Sequence, residues 1–204
     1  MGHTLTAIAS AAIVLLAAGG ARGDGLSQSE TERLWHGETV VRAQAVSQGD
    51  ERYVGGVTYT VVDTSADDLT AMLGNVDTWR RILPKIRAAR PVGSTEGDLL
   101  VELTHGTSIL QATYTIRVHR NGHEVRFWMD RRRNHDIQDA WGFLRATPIA
   151  SGRSLVTYGV LIDMGPGLLR DLFEGRVRDL ALSVPDRVRG LVLERNAAGQ
   201  RAAQ

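Results

Sequence analysis

Residues 58–86, TYTVVDTSADDLTAMLGNVDTWRRILPKI, contain the most informative pattern of the sequence. It opens as an alternating run of β-branched and aromatic residues, which is typical of a strand. Thr64 or Ser65 can then cap a helix, because a side-chain hydroxyl accepts a hydrogen bond from a free backbone N–H of the first turn. Asp67 and Asp68 lie in that first turn, where the helix dipole favours negative charge.

The same stretch predicts two short helices. Apolar residues recur at helical spacing and give the first helix one buried face, formed by Leu69, Met72, Leu73 and Val76. A second helix ends before Pro84, because the residue preceding a proline disfavours helical geometry. Its apolar residues are Trp79, Ile82 and Leu83. The predicted unit is therefore strand, helix, helix and proline.

Six strand candidates follow this unit. They are KIRAARPV (85–92), DLLVELTH (98–105), ILQATYTIRVH (109–119), HEVRFWMDR (123–131), AWGFLRATPI (140–149) and SLVTYGVLID (154–163). Short turn segments separate most of them, and Asn121-Gly122 is a strong hairpin signal. Turns this short join antiparallel neighbours, so the sequence predicts an antiparallel meander.

Two more strands precede the unit, GETVVRAQAV (37–46) and RYVGGVTYTVVD (52–63). Gly55-Gly56 within the second one predicts a β-bulge. Before these strands we predict a short helix over Ser29–Trp35, with Ser29 and Glu32 forming a capping box.

A long helix is predicted after Gly165-Pro166-Gly167. Its apolar residues repeat with a period near 3.6 residues, at Leu169, Leu172, Phe173, Val177, Leu180, Val184, Val188 and Leu191. Pro185 lies within this pattern and predicts a kink. Residues 196–204 are predicted to be a frayed tail.

The first 23 residues have the pattern of a secretory signal peptide. Ala7–Ala18 is an apolar run interrupted only by Ser10, and Ala21-Arg22-Gly23 matches the small-x-small pattern of a cleavage site. We therefore expect a periplasmic or secreted protein. Because the first residues contain no Lys or Arg, the alternative is an uncleaved N-terminal membrane anchor. The sequence has no cysteine, which excludes a lipid-modified lipoprotein and disulfides.

Composition places the remaining chain among ordinary globular proteins. Of 204 residues, 43% are hydrophobic and 23% charged, and the net charge of +1 gives no basic footprint for nucleic acid. We predict an extension over residues 24–36, one domain over residues 37–195 and a tail over residues 196–204.

The order of elements is that of an α+β helix-grip fold, and four stretches resemble one superfamily. They are LWHGETVV (34–41), VVDTSADDLTAMLGNVDTWRRILP (61–84), DAWGFLRATPIASGRSLVTYGVLID (139–163) and MGPGLLRDL (164–172). These stretches are similar to the START-like, SRPBCC (Bet v 1-like) superfamily, within its polyketide cyclase/dehydrase and coenzyme-Q-binding-like branch. The resemblance implies a curved antiparallel sheet wrapped around the C-terminal helix, with a hydrophobic cavity between them.

If that cavity exists, three features predict which residues line it: the alternation along the strands, the apolar residues of the second short helix and the apolar face of the last helix. The candidates are Trp79, Leu83, Tyr114, Trp141, Phe143, Arg145, Tyr158, Leu172, Phe173 and Leu180. Among them, the Tyr114 and Tyr158 hydroxyls and the Arg145 guanidinium can donate hydrogen bonds to a ligand. The alternative is a filled hydrophobic core, in which these aromatic residues only pack.

Three arginines, Arg131, Arg132 and Arg133, form a second candidate site. Guanidinium groups match phosphate geometry, so this loop is a candidate for contact with an anionic headgroup or a membrane surface. The alternative is a solvated loop. The nearby His135, Asp136 and Asp139 match no standard metal spacing, so no metal is expected.

No catalytic motif is present: the sequence lacks G-x-S-x-G, H-E-x-x-H, a phosphate-binding loop and a cysteine nucleophile. Asp130, His119 and Arg145 are the groups that could act as acid or base if they face the cavity. The favoured function is binding or transport of a lipid, sterol, quinone or similar molecule, without a cofactor and as a monomer. The alternative is a polyketide aromatase/cyclase, and a third reading is an interaction module for a membrane partner.

Overall fold

The computed structural model describes residues 25–107 and 111–202. One curved antiparallel sheet of eight strands is ordered β1-β2-β8-β7-β6-β5-β4-β3. The strands are β1 (Val40–Gln48), β2 (Glu51–Val62), β3 (Ile86–Thr95), β4 (Asp98–Gly106), β5 (Gln111–Asn121), β6 (Glu124–Met129), β7 (Asp139–Ile149) and β8 (Arg153–Asp163). Consecutive strands are neighbours from β3 to β8, and β8 closes against β2. The predicted meander and helix-grip fold are confirmed.

Within the described residues, five α-helices accompany the sheet. They are α1 (Gln28–Trp35), α2 (Ala66–Leu73), α3 (Val76–Ile82), α4 (Leu168–Leu182) and α5 (Val184–Ala202), with one 3₁₀ turn at Ala150–Gly152. No helix within the two described ranges is long and apolar enough to cross a bilayer. The signal-peptide prediction concerns residues 1–23, which lie outside the described residues.

Helix α1 begins one residue earlier than predicted, and its N-cap lies two residues earlier. Ser27, and not Ser29, caps it, and Glu30 completes the capping box. Both pairs have the required spacing, but Glu30 also accepts two hydrogen bonds from Arg42 on β1, at 2.9 and 2.6 Å. The Arg42 guanidinium, together with the Ser27 backbone N–H, lowers the pKa of Glu30 to about 2. This ion pair ties α1 to the sheet.

Gly55 and Gly56 form no bulge, so that prediction is wrong. The registers of β1–β2 and β2–β8 run through both glycines without a shift. Their φ angles are +155° and +142°, and a Cβ on either residue would overlap a backbone carbonyl of the adjacent strand. The glycines are required because neighbouring backbones approach too closely for a side chain.

The C-terminal helix bends where proline predicts it. Helix α4 ends at Leu182 and α5 starts at Val184, because Pro185 has no N–H to continue the hydrogen-bond ladder. The predicted tail from residue 196 is wrong, since α5 continues to Ala202. The Asn196 side-chain amide donates to the Asp63 carbonyl at 2.8 Å and holds this last part of the helix near the end of β2.

The two faces of the sheet carry separate apolar clusters. The concave face packs against α5, α2 and α3, and its core includes Val101, Ile116, Val156, Val188 and Leu191. The convex face packs against α1 through Leu34, Val40, Val57 and Tyr59. Any interior site must therefore be built from side chains on the concave face.

Candidate functional site

Helices α2 and α3 form a lid over one end of the concave face. Ser65 caps α2 by accepting from the Asp68 N–H at 3.1 Å, which resolves the choice between Thr64 and Ser65. Asn75 caps α3 by accepting from the Asp77 N–H at 2.9 Å. The chain leaves the lid at Pro84 and enters β3.

A cleft opens between the lid and strands β3 to β5. It consists of an outer groove of about 600 Å³ and an inner pocket of about 120 Å³, which share Gly74, Val76 and Arg120. The outer groove is also lined by Ala71, Asn75, Asp77, Arg80, Ala89 and Pro91. The inner pocket is also lined by Leu73, Trp79, Gly97, Leu99 and Val118. The groove is therefore mixed in polarity, and the pocket behind it is apolar.

Arg120 stands where the groove meets the inner pocket. Its Nη2 donates to the Thr70 carbonyl of α2 at 3.2 Å. Its Nη1 occupies the space beside Gly74, so closely that a Cβ on Gly74 would overlap it. This close approach fixes the guanidinium against the lid.

Trp79 belongs both to the lid and to the core. Its ring is 8% exposed, lines the inner pocket and packs in the main core cluster. The indole Nε1–H donates to the Leu73 carbonyl at 2.8 Å, which satisfies one carbonyl near the end of α2. Leu83 is half-buried against the same cluster, next to Pro84.

A histidine that sequence reasoning missed lies at the far end of the concave face. The His105 ring stacks on Tyr114, with centroids 5.6 Å apart and an interplanar angle of 7°. Because the Pro84 carbonyl can only accept, His105 Nδ1 carries the hydrogen and donates to it at 3.1 Å. The buried Nε2 has no hydrogen-bond partner among the described residues. Burial lowers the pKa of His105, which keeps the ring neutral and leaves Nε2 as an acceptor.

Tyr158 lies on the same face and stacks on Phe127, with centroids 6.3 Å apart. Burial raises the pKa of both Tyr114 and Tyr158, and the Tyr114 phenol contributes to the shift at Tyr158. Both hydroxyls therefore keep their protons at neutral pH. Ile116 and Val101, 2% and 0% exposed, fill the interior between this aromatic group and the inner pocket.

Comparison with solved structures identifies the architecture. A STAR-related lipid transfer protein from Xanthomonas axonopodis aligns with a TM-score of 0.59 and 17% identity, over 76% of this chain and 93% of that one. The Zhui aromatase/cyclase from Streptomyces sp. R1128 aligns with a TM-score of 0.58 and 15% identity, over 76% and 96%. The chain has the START-like fold. The resemblance drawn from the sequence motifs is confirmed at this level.

A START superfamily protein from Mycobacterium smegmatis also aligns, with a TM-score of 0.53 and 11% identity, over 68% of this chain and 96% of that one. No protein-family profile and no curated protein sequence matches the chain. At these identities the START-like fold is shared, while the side chains of the site must be judged from their own geometry.

Three predicted cavity residues lie on the wrong face of this START-like sheet. Trp141, Phe143 and Arg145 alternate with Leu144 and other buried core residues of β7, so they point to the convex face. The Phe143 ring covers Gly159, where a Cβ would overlap it. The Arg145 guanidinium stacks 5.4 Å from the Phe143 ring centroid, and its Nε donates to Glu124 at 2.7 Å. The prediction that these residues line the interior is wrong.

The acid–base candidates on neighbouring strands also avoid the interior. His119 bonds to Asp98 at 2.8 Å, and Asp130 lies 3.6 Å from Arg117, both on the convex face. His119 and Asp130 are therefore paired with neighbouring side chains on the outer surface of the sheet and do not face the interior.

Helix α4 does not supply a cavity wall as predicted. Leu172 is 73% exposed, which contradicts its assignment to the interior. Phe173 and Leu180 are half-buried on α4 and line neither the groove nor the inner pocket. Helix α4 packs mainly on β2 and β8, whereas the cleft lies at the other side of the sheet under the lid.

The charge of the arginine loop, residues 131–133, is partly neutralised by acidic neighbours. Arg131 pairs with Asp139 at 2.6 Å and with Glu51 at 3.6 Å, and Arg133 lies 4.0 Å from Asp130. Arg132 is exposed in the same loop.

The potential ligands near this loop have structural partners. His135 Nδ1 bonds to the Ile137 carbonyl at 2.8 Å, and Asp136 accepts from the Thr113 N–H at 2.8 Å. Within residues 25–107 and 111–202, no three acidic or histidine side chains are close enough together to hold a metal ion.

Proposed function

We propose that this protein binds a small hydrophobic or amphiphilic molecule in the cleft beneath the lid. The observation that carries this proposal is an apolar inner pocket, walled by Leu73, Trp79, Leu99 and Val118, at the end of a groove of about 600 Å³. Ligand sites are usually mostly apolar clefts of about 300–1,000 Å³ with a few polar groups. The groove has that size, and Arg120 supplies a polar group at its narrowest point.

Binding energy in such a cleft comes mainly from apolar area. Each Å² of apolar surface removed from water contributes about 25 cal/mol, before the cost of ordering the ligand is subtracted. The solved lipid transfer protein shows that a protein named for lipid transfer uses this fold. Its likeness to this chain is in the fold, so the ligand itself has to be identified by experiment.

The lid packs in the core through Leu69, Leu73 and Trp79, whereas the edge of α2 that faces the cleft is held to the sheet by few hydrogen bonds. Beyond its own packing, α2 is bonded to the β5–β6 hairpin through Arg120 and through His123, whose Nε2 lies 2.8 Å from the Asp67 carboxylate. The Asp67 side chain is 91% exposed, so this second contact is weak and easily replaced by water. We propose that the lid moves away from the sheet to admit ligand.

The test is native mass spectrometry of protein purified from its own host, followed by extraction of the bound lipid. A bound hydrophobic compound at one equivalent, lost when the cleft is blocked by Val118→Arg, supports the proposal. Absence of any bound compound, together with no saturable binding of sterol, quinone or fatty-acid probes, contradicts it.

A catalytic alternative has one observation in its favour. The unpartnered Nε2 of His105 is a buried acceptor on a ring that stacks on Tyr114, and a neutral histidine of this kind can remove a proton. The Zhui aromatase/cyclase shows that an enzyme uses the same fold. An aromatase/cyclase would lose turnover but keep ligand binding after His105→Gln, whereas a binding protein has no turnover to lose.

We also propose export of the protein. The apolar run Ala7–Ala18 and the small residues around Arg22 support cleavage near Asp24. An intact mass that begins near Asp24 is the expected result. A membrane-bound protein that retains Met1 would support the anchored alternative.

A further inference from the structure

Strand β5 presents a stripe of side chains that ends in a cation. Tyr114, Ile116, Val118 and Arg120 alternate along the concave face, and Arg120 terminates this row where the inner pocket opens into the groove. A guanidinium at the end of an apolar wall is the arrangement that receives an amphiphile, with the apolar part inside and the anionic part outside.

The charge of Arg120 is not compensated by the protein. Within the described ranges it has no acidic partner, and its hydrogen bond goes to the Thr70 carbonyl. Arg80, the other arginine of the groove, donates to the Ala89 carbonyl at 3.2 and 3.0 Å and pairs with Asp77 at 3.3 Å. Asp77 and Arg80 therefore offset each other, and Arg120 gives the cleft a net positive charge.

Resting on the proposed function, we propose that Arg120 binds the carboxylate of an amphiphilic acid whose apolar end fills the inner pocket. A guanidinium has five N–H donors in a fixed fork, and the Thr70 carbonyl uses one of them. The remaining donors include Nη1–H, so a carboxylate can be held by charge-assisted hydrogen bonds.

The inner pocket limits the apolar end to something small. Its volume of about 120 Å³ lies below the usual range of ligand sites, so it accepts an aromatic ring or part of one alkyl chain, and not two acyl chains. Longer molecules must extend along the outer groove. The inferred class is therefore a single-chain or aromatic carboxylic acid.

The experiment compares octanoate with 1-octanol, which share the alkyl chain and differ in the headgroup. Both are titrated against wild-type protein by isothermal calorimetry at pH 7, and Nile red reports apolar binding independently. We expect octanoate to bind about three- to fivefold more tightly than 1-octanol, the effect of one solvent-accessible ion pair. The difference should shrink at high salt, because salt screens exposed charges.

Arg120→Gln should remove the preference for octanoate and leave Nile red binding unchanged. Arg126→Gln is the matched control, since Arg126 is exposed and pairs with Glu124 on the convex face. Gly74→Ala is a second variant, which keeps the arginine at position 120 but moves its guanidinium. The backbone of Gly74, at φ −69°, accepts alanine, and the new Cβ must displace the Arg120 guanidinium. It too should reduce the preference for the acid.

Equal affinity of wild-type protein for octanoate and 1-octanol would overturn the role of Arg120 while leaving the proposed function intact. Retention of the full preference in both Arg120→Gln and Gly74→Ala would overturn it as well. Failure of Nile red, octanoate and 1-octanol to bind at all would instead count against the proposed function.

Discussion

The imidazole of His105 lies flat against the ring of Tyr114, with the ring centroids 5.6 Å apart, and its Nε2 faces the interior without a hydrogen-bond partner among the described residues. Strand register brings the two together, because β4 and β5 pair side by side near the chain's exit from the lid. A buried unpaired acceptor destabilises a fold unless something else binds it. The unpaired Nε2 of His105 is therefore expected to lower the stability of the fold.

The titration of His105 gives the first prediction. In the unfolded chain its pKa is near 6.5, and burial lowers it in the folded protein. The unfolded state therefore takes up the proton first as the pH falls, so the stability provided by the neutral ring is complete above about pH 6.5 and is lost below it.

The measurement is an NMR pH titration of the His105 ring, with urea unfolding at pH 7.5 and pH 5.5. The His105 signal should titrate below pH 6.5, and His105→Gln should show a smaller loss of stability between the two pH values than wild type. A His105 titration midpoint at or above 6.5 would show that the ring is not desolvated as described.

The close packing around Gly55 provides the second prediction. Gly55→Ala should strongly destabilise or unfold the protein, because its Cβ would overlap the Val160 carbonyl, and backbone cannot move as a flexible side chain does. Gly175→Ala is the matched control, since Gly175 is exposed on helix α4 with open space around it. It should raise the free energy of unfolding by about 0.5–1 kcal/mol. Urea denaturation of both variants measures the contrast, and similar effects would contradict the described packing of β2.

Trp79 gives the third prediction, because it serves both lid and core. Trp79→Ala should lower the free energy of unfolding by about 3–5 kcal/mol, the effect of truncating a large buried side chain. Trp79→Phe retains most of the packing but leaves the Leu73 carbonyl without its donor, so its loss should be about 1–3 kcal/mol. Thermal unfolding separates the two effects. A loss below 1 kcal/mol in Trp79→Ala would mean that Trp79 closes the cleft without supporting the core.

Tyr158 gives the fourth prediction. Burial and the Tyr114 phenol, and no hydrogen bond, account for the raised pKa of Tyr158, so Tyr158→Phe should change the free energy of unfolding by less than about 0.5 kcal/mol. If a hydroxylated or carbonyl-bearing ligand reaches this hydroxyl, the variant should lose about 0.5–1.5 kcal/mol of affinity for it while binding Nile red normally. Chemical denaturation and probe titration measure both quantities. A large loss of stability would reveal an internal partner for this hydroxyl.

Local signals explain which parts of the fold were predictable. The cap at Ser65, the stop at Pro84 and the turn at Asn121-Gly122 each act within a few residues, so the lid and the meander follow from the sequence. The break near Pro185 has the same local origin. These elements were predicted correctly because no distant contact decides them.

The assignment of faces on β7 failed for a physical reason. The strand carries bulky residues on both faces, with Phe143 and Leu144 adjacent, and a shift of one residue exchanges interior and exterior. Pairing of Leu144 with Tyr158 places that row inside, which only the assembled sheet reveals. A hint was available, since Arg145 follows Phe143 in the same alternation and a charged residue favours the outer face.

The cleft itself depends on contacts between distant segments. Arg120 meets Thr70 across fifty positions of sequence, and His105 meets Pro84 across twenty-one, so neither could be assigned from spacing. Arg120, the polar group where the groove meets the inner pocket, was therefore missed. By contrast, the position of Trp79 in the lid could be predicted, because nearby residues in the sequence, such as Pro84, determine where its helix ends.

The most direct test of the cleft uses the indole N–H signals of the four tryptophans in an NMR titration with Nile red. Trp79 lines the inner pocket, whereas Trp141 lies on the convex face and Trp35 on α1. Binding in the cleft predicts a saturable shift of the Trp79 Nε1–H signal, with the Trp141 and Trp35 signals unchanged. A saturable shift confined to Trp141 or Trp35, or no saturable shift at all, would contradict binding in the cleft.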